Sequence, residues 1–396
     1  MAHRLATEYP LIYWLLTDAR RITEPKAFLT ALAEQLPVHG IEVSRLHTGV
    51  PILHPQVHSY SARWDFGKGV SERFFRLNAE SLPVLENSPV KTVYGGGGSV
   101  RCNPTAPPHD GEFGILAELR RDGVTDYVAL SIPFSDGTAK LLSVATKRPG
   151  GFSDEEIELL EAITPAVAVN LEVQALRLTA RTLLDTYVGR QAGARVLDGA
   201  IRRGMGETIR AVIWLCDLRG FTSLSEQLPR DTLIELLNQY FGSMCAALEA
   251  NGGEVLKFIG DALLAIFPIL DEDPPSVCAR ALAAAKNAQA ALAAVNAARI
   301  DMGEARIDYG IALHVGDVMY GNIGGENRLD FTVIGPAVNL AARIEGLCRD
   351  LSRPVLLSAS FVAASGLTVQ HLGAFSLKGL SDPQEIYAPL SDFGLG

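Results

Sequence analysis

The chain has 396 residues, of which 48% are apolar and 20% are charged, and its formal net charge is −10. This length suggests two or three domains of roughly 150 residues, each able to bury a hydrophobic core. The negative charge argues against binding to nucleic acid or to an anionic membrane through a broad basic surface, although a local basic site is compatible with it.

Neither the cysteines nor the apolar runs indicate an exported or membrane-spanning protein. The five cysteines lack CxxC or metal-type spacing, which is typical of free thiols in a reducing compartment. The N-terminal run in YPLIYWLLTDARR is too short for a signal peptide or a span, and no other window reaches about 18 uncharged apolar residues. We therefore expect a cytoplasmic protein without a membrane span.

Residues 1–180 are predicted to mix helices and strands. Residues 27–36 have helical periodicity, whereas residues 41–50 and 57–64 alternate between apolar and polar side chains as strands do. Residues 94–110, YGGGGSVRCNPTAPPHD, are rich in glycine and proline and predict a loop. The four glycines can approach a phosphate, but no helix start or Lys-Ser/Thr pair follows, so a flexible loop is the favoured interpretation.

Residues 126–148 predict a hairpin that turns at Ser135, Asp136 and Gly137. Ser153 and Glu156 have the spacing of a capping box and open a predicted long helix. The stretches TDYVAL and RPGGFSDEEIELLEAI resemble the end of a GAF domain. This resemblance implies that residues 1–175 form a GAF-like sensor or dimerisation domain. Its small-molecule ligand, if it binds one, is not identified by any residue pattern.

A continuous helix is predicted for residues 170–203, and we expect residues 176–205 to be a helical transmitter between two domains. Several leucines can form a two-helix seam, namely Leu171, Leu176, Leu178, Leu183 and Leu184. The alternative is a simple linker helix, because the run is too short to define a coiled coil from heptads alone. We favour a transmitter in a parallel dimer.

From residue 211 the pattern predicts alternating strands and helices. The predicted elements are a strand, a helix (222–250), a strand hairpin (254–267), a long helix (274–300), a second hairpin (306–323), a strand (331–334) and a helix (337–348). This order is typical of a ferredoxin-like βαββαβ sheet, which we expect to be open with helices on one face. The chain as a whole is therefore predicted to be α/β (α+β).

Two carboxylates interrupt this apolar pattern. Asp217 ends the strand in VIWLCDLRGFTSLSEQL, and Asp261 follows Gly260 in the hairpin turn of GGEVLKFIGDALLAIF. Each alone is explained as a strand-end or turn residue. If the two strands are neighbours, however, the carboxylates lie close together and repel, unless a divalent cation such as Mg²⁺ or Mn²⁺ binds between them. After Asp217, the backbone N–H groups at Gly220, Phe221 and Thr222 can bind phosphate.

Four stretches together resemble the successive motifs of class III adenylyl/guanylyl cyclases: AVIWLCDLRGFTSLSEQLP, GGEVLKFIGDALLAIF, YGIALHVGDVMYGNIG and DFTVIGPAVNLAARIE. Four ordered motifs over residues 206–396 are far more specific than one short pattern. The resemblance implies two Mg²⁺ or Mn²⁺ ions per site, held by Asp217, Asp261 and the carbonyl of Leu218. It also implies that Lys257 and Thr332 select the base.

The same resemblance implies that Asn339 and Arg343 stabilise the transition state and that Lys378 contacts the triphosphate. Asp330 is a competing acidic residue near Thr332, but its spacing from Asn339 does not match the family position, so we interpret it as a surface strand residue. His314 lies in a predicted strand and is expected to be a packed core histidine. Pro336, where many members carry Asp, suits the first turn of a helix.

Base choice follows from hydrogen-bond donors and acceptors. The Lys257 ammonium can only donate, which suits the N1 acceptor of adenine, and the Thr332 hydroxyl can accept from the 6-amino group. Guanine presents donors that Lys257 would leave unpaired, at about 1–3 kcal/mol. The sequence therefore predicts an adenylate cyclase that converts ATP to cyclic AMP. The alternatives are a guanylate or pyrimidine cyclase, or a non-catalytic nucleotide-binding regulator.

The resemblance also implies a head-to-tail homodimer. Lys257 and Asp261 are four residues apart on one hairpin, yet they should contact opposite ends of the nucleotide. In the family arrangement one chain supplies the two aspartates of a site. The other chain supplies Lys257, Thr332, Asn339, Arg343 and Lys378. We expect two equivalent shared sites and no activity in a monomer.

Overall fold

The computed structural model describes residues 7–53, 57, 59–75, 87–199, 202, 204, 206–326 and 328–390. It divides into two compact units, Met1–Leu183 and Leu184–Gly396. We call them the N-terminal unit and the C-terminal unit. Within the described residues, no single helix is both long and apolar enough to cross a membrane, and one pair of helices reaches that length only across a 43° bend.

The N-terminal unit is a six-stranded antiparallel sheet in the order β3-β2-β1-β6-β5-β4 with helices on both faces. Its strands are β1 (Arg45–Pro51), β2 (Ser59–Asp65), β3 (Gly69–Phe75), β4 (Val100–Cys102), β5 (Asp126–Pro133) and β6 (Ala139–Thr146). Its helices are α1 (Pro10–Leu16), α2 (Pro25–Val38), α3 (Pro89–Tyr94), α4 (Ile115–Arg121), α5 (Asp154–Ala162) and α6 (Thr164–Tyr187), of which α6 continues past the boundary at Leu183.

Several short sequence patterns in this unit correctly predicted a helix, a hairpin and a helix cap. Helix α2 contains the predicted residues 27–36, and β5 and β6 form the predicted hairpin, closed where the N–H of Phe134 donates to the carbonyl of Thr138 at 2.9 Å. Both hydrogen bonds of the Ser153–Glu156 capping box are present. The predicted loop at 94–110 is wrong in part, because it contains β4, which pairs with β5. Residue 58 of the second predicted strand lies outside the described residues.

The predicted long helix after Ser153 is instead two helices, α5 and α6, at 43° to each other. Pro165 is the physical reason, because proline has no N–H to donate to the preceding turn. The hydroxyl of Thr164 donates to the carbonyl of Glu161 at 2.8 Å in its place. A second prediction is also wrong: the helix does not continue to residue 203, since α6 ends at Tyr187 and a separate helix follows Gly189, which has a φ of 96°.

Two of the five leucines predicted to form a two-helix seam face the core of their own unit instead. Leu171 is buried in the core of the N-terminal unit and Leu178 packs against that core, so neither can face a second helix. The solvent-facing stripe of α6 instead carries Val169, Val173 and Leu176, which are 39%, 38% and 65% exposed. Spacings of four and three residues are those of a coiled-coil seam.

The C-terminal unit is an eight-stranded sheet in the order β13-β14-β12-β10-β7-β9-β8, with β11 paired to β10. Its strands are β7 (Gly206–Leu218), β8 (Glu254–Ile259), β9 (Ala262–Ile269), β10 (Tyr309–Gly324), β11 (Leu329–Ile334), β12 (Val355–Ser358), β13 (Val369–Phe375) and β14 (Gln384–Pro389). Its helices are α7 (Arg190–Leu197), α8 (Phe221–Gln227), α9 (Arg230–Ala250), α10 (Pro274–Asp301), α11 (Pro336–Asp350) and α12 (Ala359–Ser365). Of the transmitter region, residues 200, 201, 203 and 205 lie outside the described residues.

The central strands β10-β7-β9-β8 are connected through α9 and α10 as expected for a ferredoxin-like βαββαβ core. Helices cover both faces of this sheet, so the prediction of helices on one face is wrong. Trp214 and Cys216 of β7 pack in the core with α9 and α10, whereas Ile213 and Leu215 pack with residues of α7 and α11. A strand that is apolar on both faces requires cover on both.

Two further boundaries differ from expectation. Pro229 divides the predicted helix 222–250 into α8 and α9, since it cannot donate within a continuous helix. Residues 309–324 form one strand of 16 residues rather than a hairpin, because β10 pairs with β7 along most of its length. The hairpin of this region lies instead between β10 and β11.

Candidate functional site

Two strand ends bring the predicted carboxylates together. Asp217 of β7 is paired with Ala262 of β9, so Asp261, which precedes Ala262 in the turn, lies beside it. Gly260 makes this tight turn possible with a φ of 65°. The pKa of Asp217 is raised to about 6, first by burial and then by the negative charge of Asp261 and a hydrogen bond between the two carboxyl groups, while Arg219 acts in the opposite direction.

This pair has the chemistry of a site for a divalent cation. Its oxygens are hard ligands, and the charge of Asp261, together with burial, raises the pKa of Asp217, so that a divalent cation would offset the repulsion between the two carboxylates. In the part of the chain that the structure describes, no group of three or more His, Cys, Asp or Glu side chains is arranged to hold a metal ion. The predicted further ligand is the carbonyl of the adjacent Leu218.

The turn after Asp217 leads directly into helix α8. Gly220 is left-handed, with φ 71° and ψ 17°, and Phe221 and Thr222 are the first two residues of α8. The N–H of Arg219 donates to the carbonyl of Asp308 at 2.7 Å, which holds the start of the turn against the segment before β10. Thr222 is exposed, so the predicted phosphate-binding turn is open to solvent.

The two predicted base-selecting residues lie on neighbouring elements, Lys257 on β8 and Thr332 on β11. Lys257 Nζ is 3.9 Å from Asp330 Oδ2, and strand alternation places Asp330 and Thr332 on the same face of β11. The Thr332 hydroxyl is buried and has no hydrogen-bond partner in the described structure. Asp330 is exposed, as predicted, and it forms a solvent-accessible ion pair with the lysine that was predicted to contact the base.

Helix α11 presents the predicted transition-state residues one turn apart. Asn339 is exposed and Arg343 is half-buried. Lys378 is exposed and lies in the turn between β13 and β14, next to Gly379. A Cβ added at Gly379 would lie 3.3 Å from Arg343 Nη2, so this turn and Arg343 are adjacent in the folded chain.

Arg219 and Glu345, to which the sequence analysis assigned no role, connect the turn after Asp217 to helix α11. The Arg219 guanidinium donates to the carboxylate of Glu345 and, at 2.9 Å, to its backbone carbonyl. The pKa of Glu345 is raised to about 7, mainly by burial and also by the charges of Asp217 and Asp261, while Arg219 acts in the opposite direction. Both residues lie inside the quoted motifs, but 126 positions apart, and no local pattern pairs them.

The histidine prediction is confirmed. His314 is 6% exposed in β10, and its Nδ1 lies 2.9 Å from the hydroxyl of Ser358 and 3.0 Å from that of Ser360. Burial lowers the pKa of His314 to about 4, so the ring is neutral at pH 7. It is a packed core residue rather than a proton donor or acceptor of the site.

Residues 206–388 match the family described as "Adenylate and Guanylate cyclase catalytic domain". These residues form a class III adenylyl/guanylyl cyclase catalytic domain. The cyclase domain covers almost all of the described C-terminal unit after α7, and its first and last strands, β7 and β14, lie at the two ends of the match. The predicted family is therefore confirmed for this domain, whereas the match does not extend to the N-terminal unit.

Relatives of the cyclase domain include enzymes named for either base. An adenylate cyclase of Anabaena cylindrica is 40% identical over 166 residues, which are 41% of this chain and 32% of that protein. Adenylate cyclase 1 of Rhizobium meliloti (strain 1021) is 31% identical over 176 residues, 43% of this chain and 26% of that protein. The crystal structure of the guanylyl cyclase Cya2 is 33% identical with a TM-score of 0.42, covering 46% of this chain and 92% of that one. The chain thus spans a third or less of these two curated relatives.

Proposed function

We propose that this chain is an adenylate cyclase, which converts ATP to 3′,5′-cyclic AMP and pyrophosphate. The observation that carries the proposal is the buried, unpaired hydroxyl of Thr332 on the strand face that meets Lys257. An unpaired buried hydroxyl is unfavourable, and adenine satisfies it by donating from its 6-amino group. Lys257 then donates to N1 of the same base.

The reaction joins the 3′-hydroxyl of ATP to its α-phosphorus and releases pyrophosphate. Two Mg²⁺ or Mn²⁺ ions bound at Asp217, Asp261 and the Leu218 carbonyl would lower the pKa of the attacking hydroxyl and neutralise phosphate charge. The N–H groups at Gly220, Phe221 and Thr222 hold the phosphates.

Three further side chains act on the ribose and on the phosphate oxygens of the substrate. Arg343 and Lys378, which the fold brings into one region, stabilise the charge that grows on the phosphoryl and leaving oxygens. Asn339, one turn before Arg343, orients the ribose so that the hydroxyl attacks in line with the leaving group. No protein side chain needs to accept the proton of the hydroxyl.

One observation favours a second candidate, a guanylate cyclase. Asp330 is a carboxylate 3.9 Å from Lys257, and a carboxylate can accept from N1–H and the 2-amino group of guanine. We favour adenine because Asp330 is already paired with Lys257, whereas the Thr332 hydroxyl has no partner. Pyrimidine nucleotides and a non-catalytic nucleotide-binding regulator are the remaining alternatives.

The active form is proposed to be a homodimer with two shared sites. In each site Asp217 and Asp261 come from one copy, and Lys257, Asn339 and Arg343 come from the other. The stripe Val169, Val173 and Leu176 extends the contact between the copies along helix α6, up to the start of the transmitter. An exposed apolar stripe at coiled-coil spacing supports a parallel helix pair.

The N-terminal unit is proposed to be a GAF-like domain that controls the cyclase domain, with or without a small-molecule ligand. Its antiparallel sheet with helices on both faces supports this. Removing residues 1–175 should change the rate of cyclic AMP formation at saturating Mn²⁺ and ATP by at least about threefold. Equal rates from residues 176–396 and from the full chain would contradict the regulatory role.

The decisive experiment incubates purified protein and Mn²⁺ separately with ATP, GTP, CTP and UTP, and identifies any cyclic product by mass. Cyclic AMP from the wild type, but not from Asp217→Ala, supports the proposal. Asp271→Ala, which removes an exposed carboxylate of the same unit, is the matched control and should remain active. Cyclic GMP as the main product would favour the guanylate alternative, and ATP binding without pyrophosphate release would favour the regulator.

A further inference from the structure

A buried ion pair links two functional parts of the cyclase domain. The side chain of Arg219 is 19% exposed and that of Glu345 is 6% exposed, and the guanidinium contacts both the carboxylate and the backbone carbonyl of Glu345. Withdrawing two charges from water is unfavourable, and apolar side chains of similar volume often stabilise a fold at least as well. Stability alone therefore does not explain why this pair is buried here.

The strand next to the pair is shaped to hold it. A Cβ added at Gly310 would overlap Arg219 Nη2 and lie 2.5 Å from Glu345 Oε1. Gly310 does not have a positive φ, so its backbone would accept any residue, and only the space above it requires glycine. Gly310 is also the residue of β10 paired with Asp217 of β7. The ion pair thus occupies a recess directly beside a proposed metal ligand.

The pair joins the turn after Asp217 to helix α11. Arg219 is two residues after Asp217, and its N–H is fixed to the carbonyl of Asp308. Glu345 is two residues after Arg343 and faces inward from α11. In the proposed dimer, the carboxylates of one copy serve one site, and Asn339 and Arg343 of that copy serve the other. The ion pair therefore connects residues that belong to different sites.

We propose that Arg219 and Glu345 are positioning residues that clamp the turn after Asp217 to helix α11, so that each subunit couples the two shared sites mechanically. The coupling rests on the proposed shared-site dimer, whereas the clamp itself is a property of one chain. Two experiments separate these claims, and the first needs neither metal nor substrate.

The first experiment measures backbone hydrogen exchange in the metal-free full-length protein. In Arg219→Met and in Glu345→Gln, the peptide containing the N–H of Arg219 should exchange at least about tenfold faster than in the wild type. Gly310→Ala, which leaves both charges but fills the recess, should give the same change. Arg280→Met, which removes a surface ion pair with Glu272, is the matched control and should leave this peptide unchanged.

The double variant Arg219→Met/Glu345→Leu distinguishes positioning from stability. It should melt at or above the temperature of either single variant, because no unpaired buried charge remains. Its peptide around Arg219 should nevertheless exchange as fast as in the single variants. Exchange at the wild-type rate in the double variant would overturn the clamp.

The second experiment uses mixed dimers that contain one working site. Pairing an Asp217→Ala subunit with an Asn339→Ala subunit leaves one site, built from the carboxylates of the second and Asn339 of the first. Glu345→Gln placed in the second subunit should raise the Mn²⁺ concentration for half-maximal activity about tenfold. Placed in the first subunit, it should lower kcat about tenfold with little change in the Mn²⁺ requirement.

An effect from only one of the two placements would overturn the coupling. If the mixed dimer without Glu345→Gln is inactive while the wild type forms cyclic nucleotide, the shared-site dimer itself is wrong, and the coupling falls with it. The exchange experiment then still decides whether the clamp exists.

Discussion

At the scale of single residues, His314 shows how burial sets a protonation state. Its ring is held by two serine hydroxyls of the neighbouring segment and has a pKa lowered by burial to about 4. The pKa of His314 in the folded state lies below its unfolded value of about 6.5. Above pH 6.5 the ring is therefore neutral in both states, and its protonation does not reduce the free energy of unfolding. Stability is lost as the pH falls from 6.5 toward 4.

This predicts acid sensitivity of the C-terminal unit. Between pH 7 and pH 5 the histidine should reduce the free energy of unfolding by about 2 kcal/mol, following from the pKa of about 4 in the folded state. Urea unfolding of wild type and His314→Asn at both pH values measures this contribution. The variant should lose less stability on acidification than the wild type, and an equal loss in both would show that His314 is not responsible.

Lys257 carries the prediction of base selectivity. Lys257→Glu replaces the donor with an acceptor, which should lower kcat/KM for ATP by about 10–100-fold and shift the ratio of ATP to GTP turnover toward GTP. Steady-state kinetics with both nucleotides measures the ratio. Asp330→Asn is the informative control. If it lowers the residual turnover of GTP but not the turnover of ATP, then the Asp330 carboxylate accepts hydrogen bonds from guanine.

At the scale of elements, α6 is the helix whose two faces have different roles. One face is part of the core of the N-terminal unit through Val167 and Leu171, whereas the opposite stripe is apolar and open to solvent. Apolar stripes that continue at spacings of four and three residues are typical of helices that pair with a second helix. The dimer contact of this helix is therefore proposed on Val169, Val173 and Leu176.

Leu176→Asp should weaken the dimer of the full-length chain, because it introduces a charge at the most exposed position of the proposed seam. The dissociation constant from analytical ultracentrifugation should rise at least about tenfold. Phe66→Asp, which alters an apolar residue that is 76% exposed but lies on the β2–β3 turn, is the matched control. An unchanged dissociation constant for Leu176→Asp would place the dimer contact elsewhere.

At the scale of the whole molecule, symmetry determines which variants can compensate for each other. Asp217→Ala and Asn339→Ala should each abolish cyclic AMP formation as homodimers. Mixed in equal amounts and allowed to exchange subunits, they should regain up to about a quarter of wild-type activity: half of the dimers are then mixed, and each has one working site of two. Activity of the mixture is measured against each variant alone. No recovery would contradict the shared site.

Much of this molecule could be predicted from local sequence patterns. The Ser153 capping box, the β5–β6 hairpin and the ferredoxin-like order of the C-terminal unit follow from signals a few residues long. The proximity of Asp217 and Asp261 was also predictable, because a carboxylate at a strand end and another in the adjacent turn meet at one sheet edge. The roles assigned to these carboxylates remain predictions.

Other features were decided only by the tertiary structure. Helices cover both faces of the C-terminal sheet because β7 is apolar on both sides, which periodicity alone does not distinguish from a strand packed on one side. Leu171 faces the core rather than a partner helix, because other residues of the N-terminal unit pack against that face of α6.

The Arg219–Glu345 pair and the recess at Gly310 depend on residues far apart in the chain, so no local pattern encodes them. Short-range signals are carried by neighbouring residues and can be interpreted directly from the sequence. A contact between distant residues exists only once the intervening strands and helices have packed. The sequence therefore determined the family of the C-terminal unit and predicted its site residues, and folding decided which residues distant in the chain come into contact.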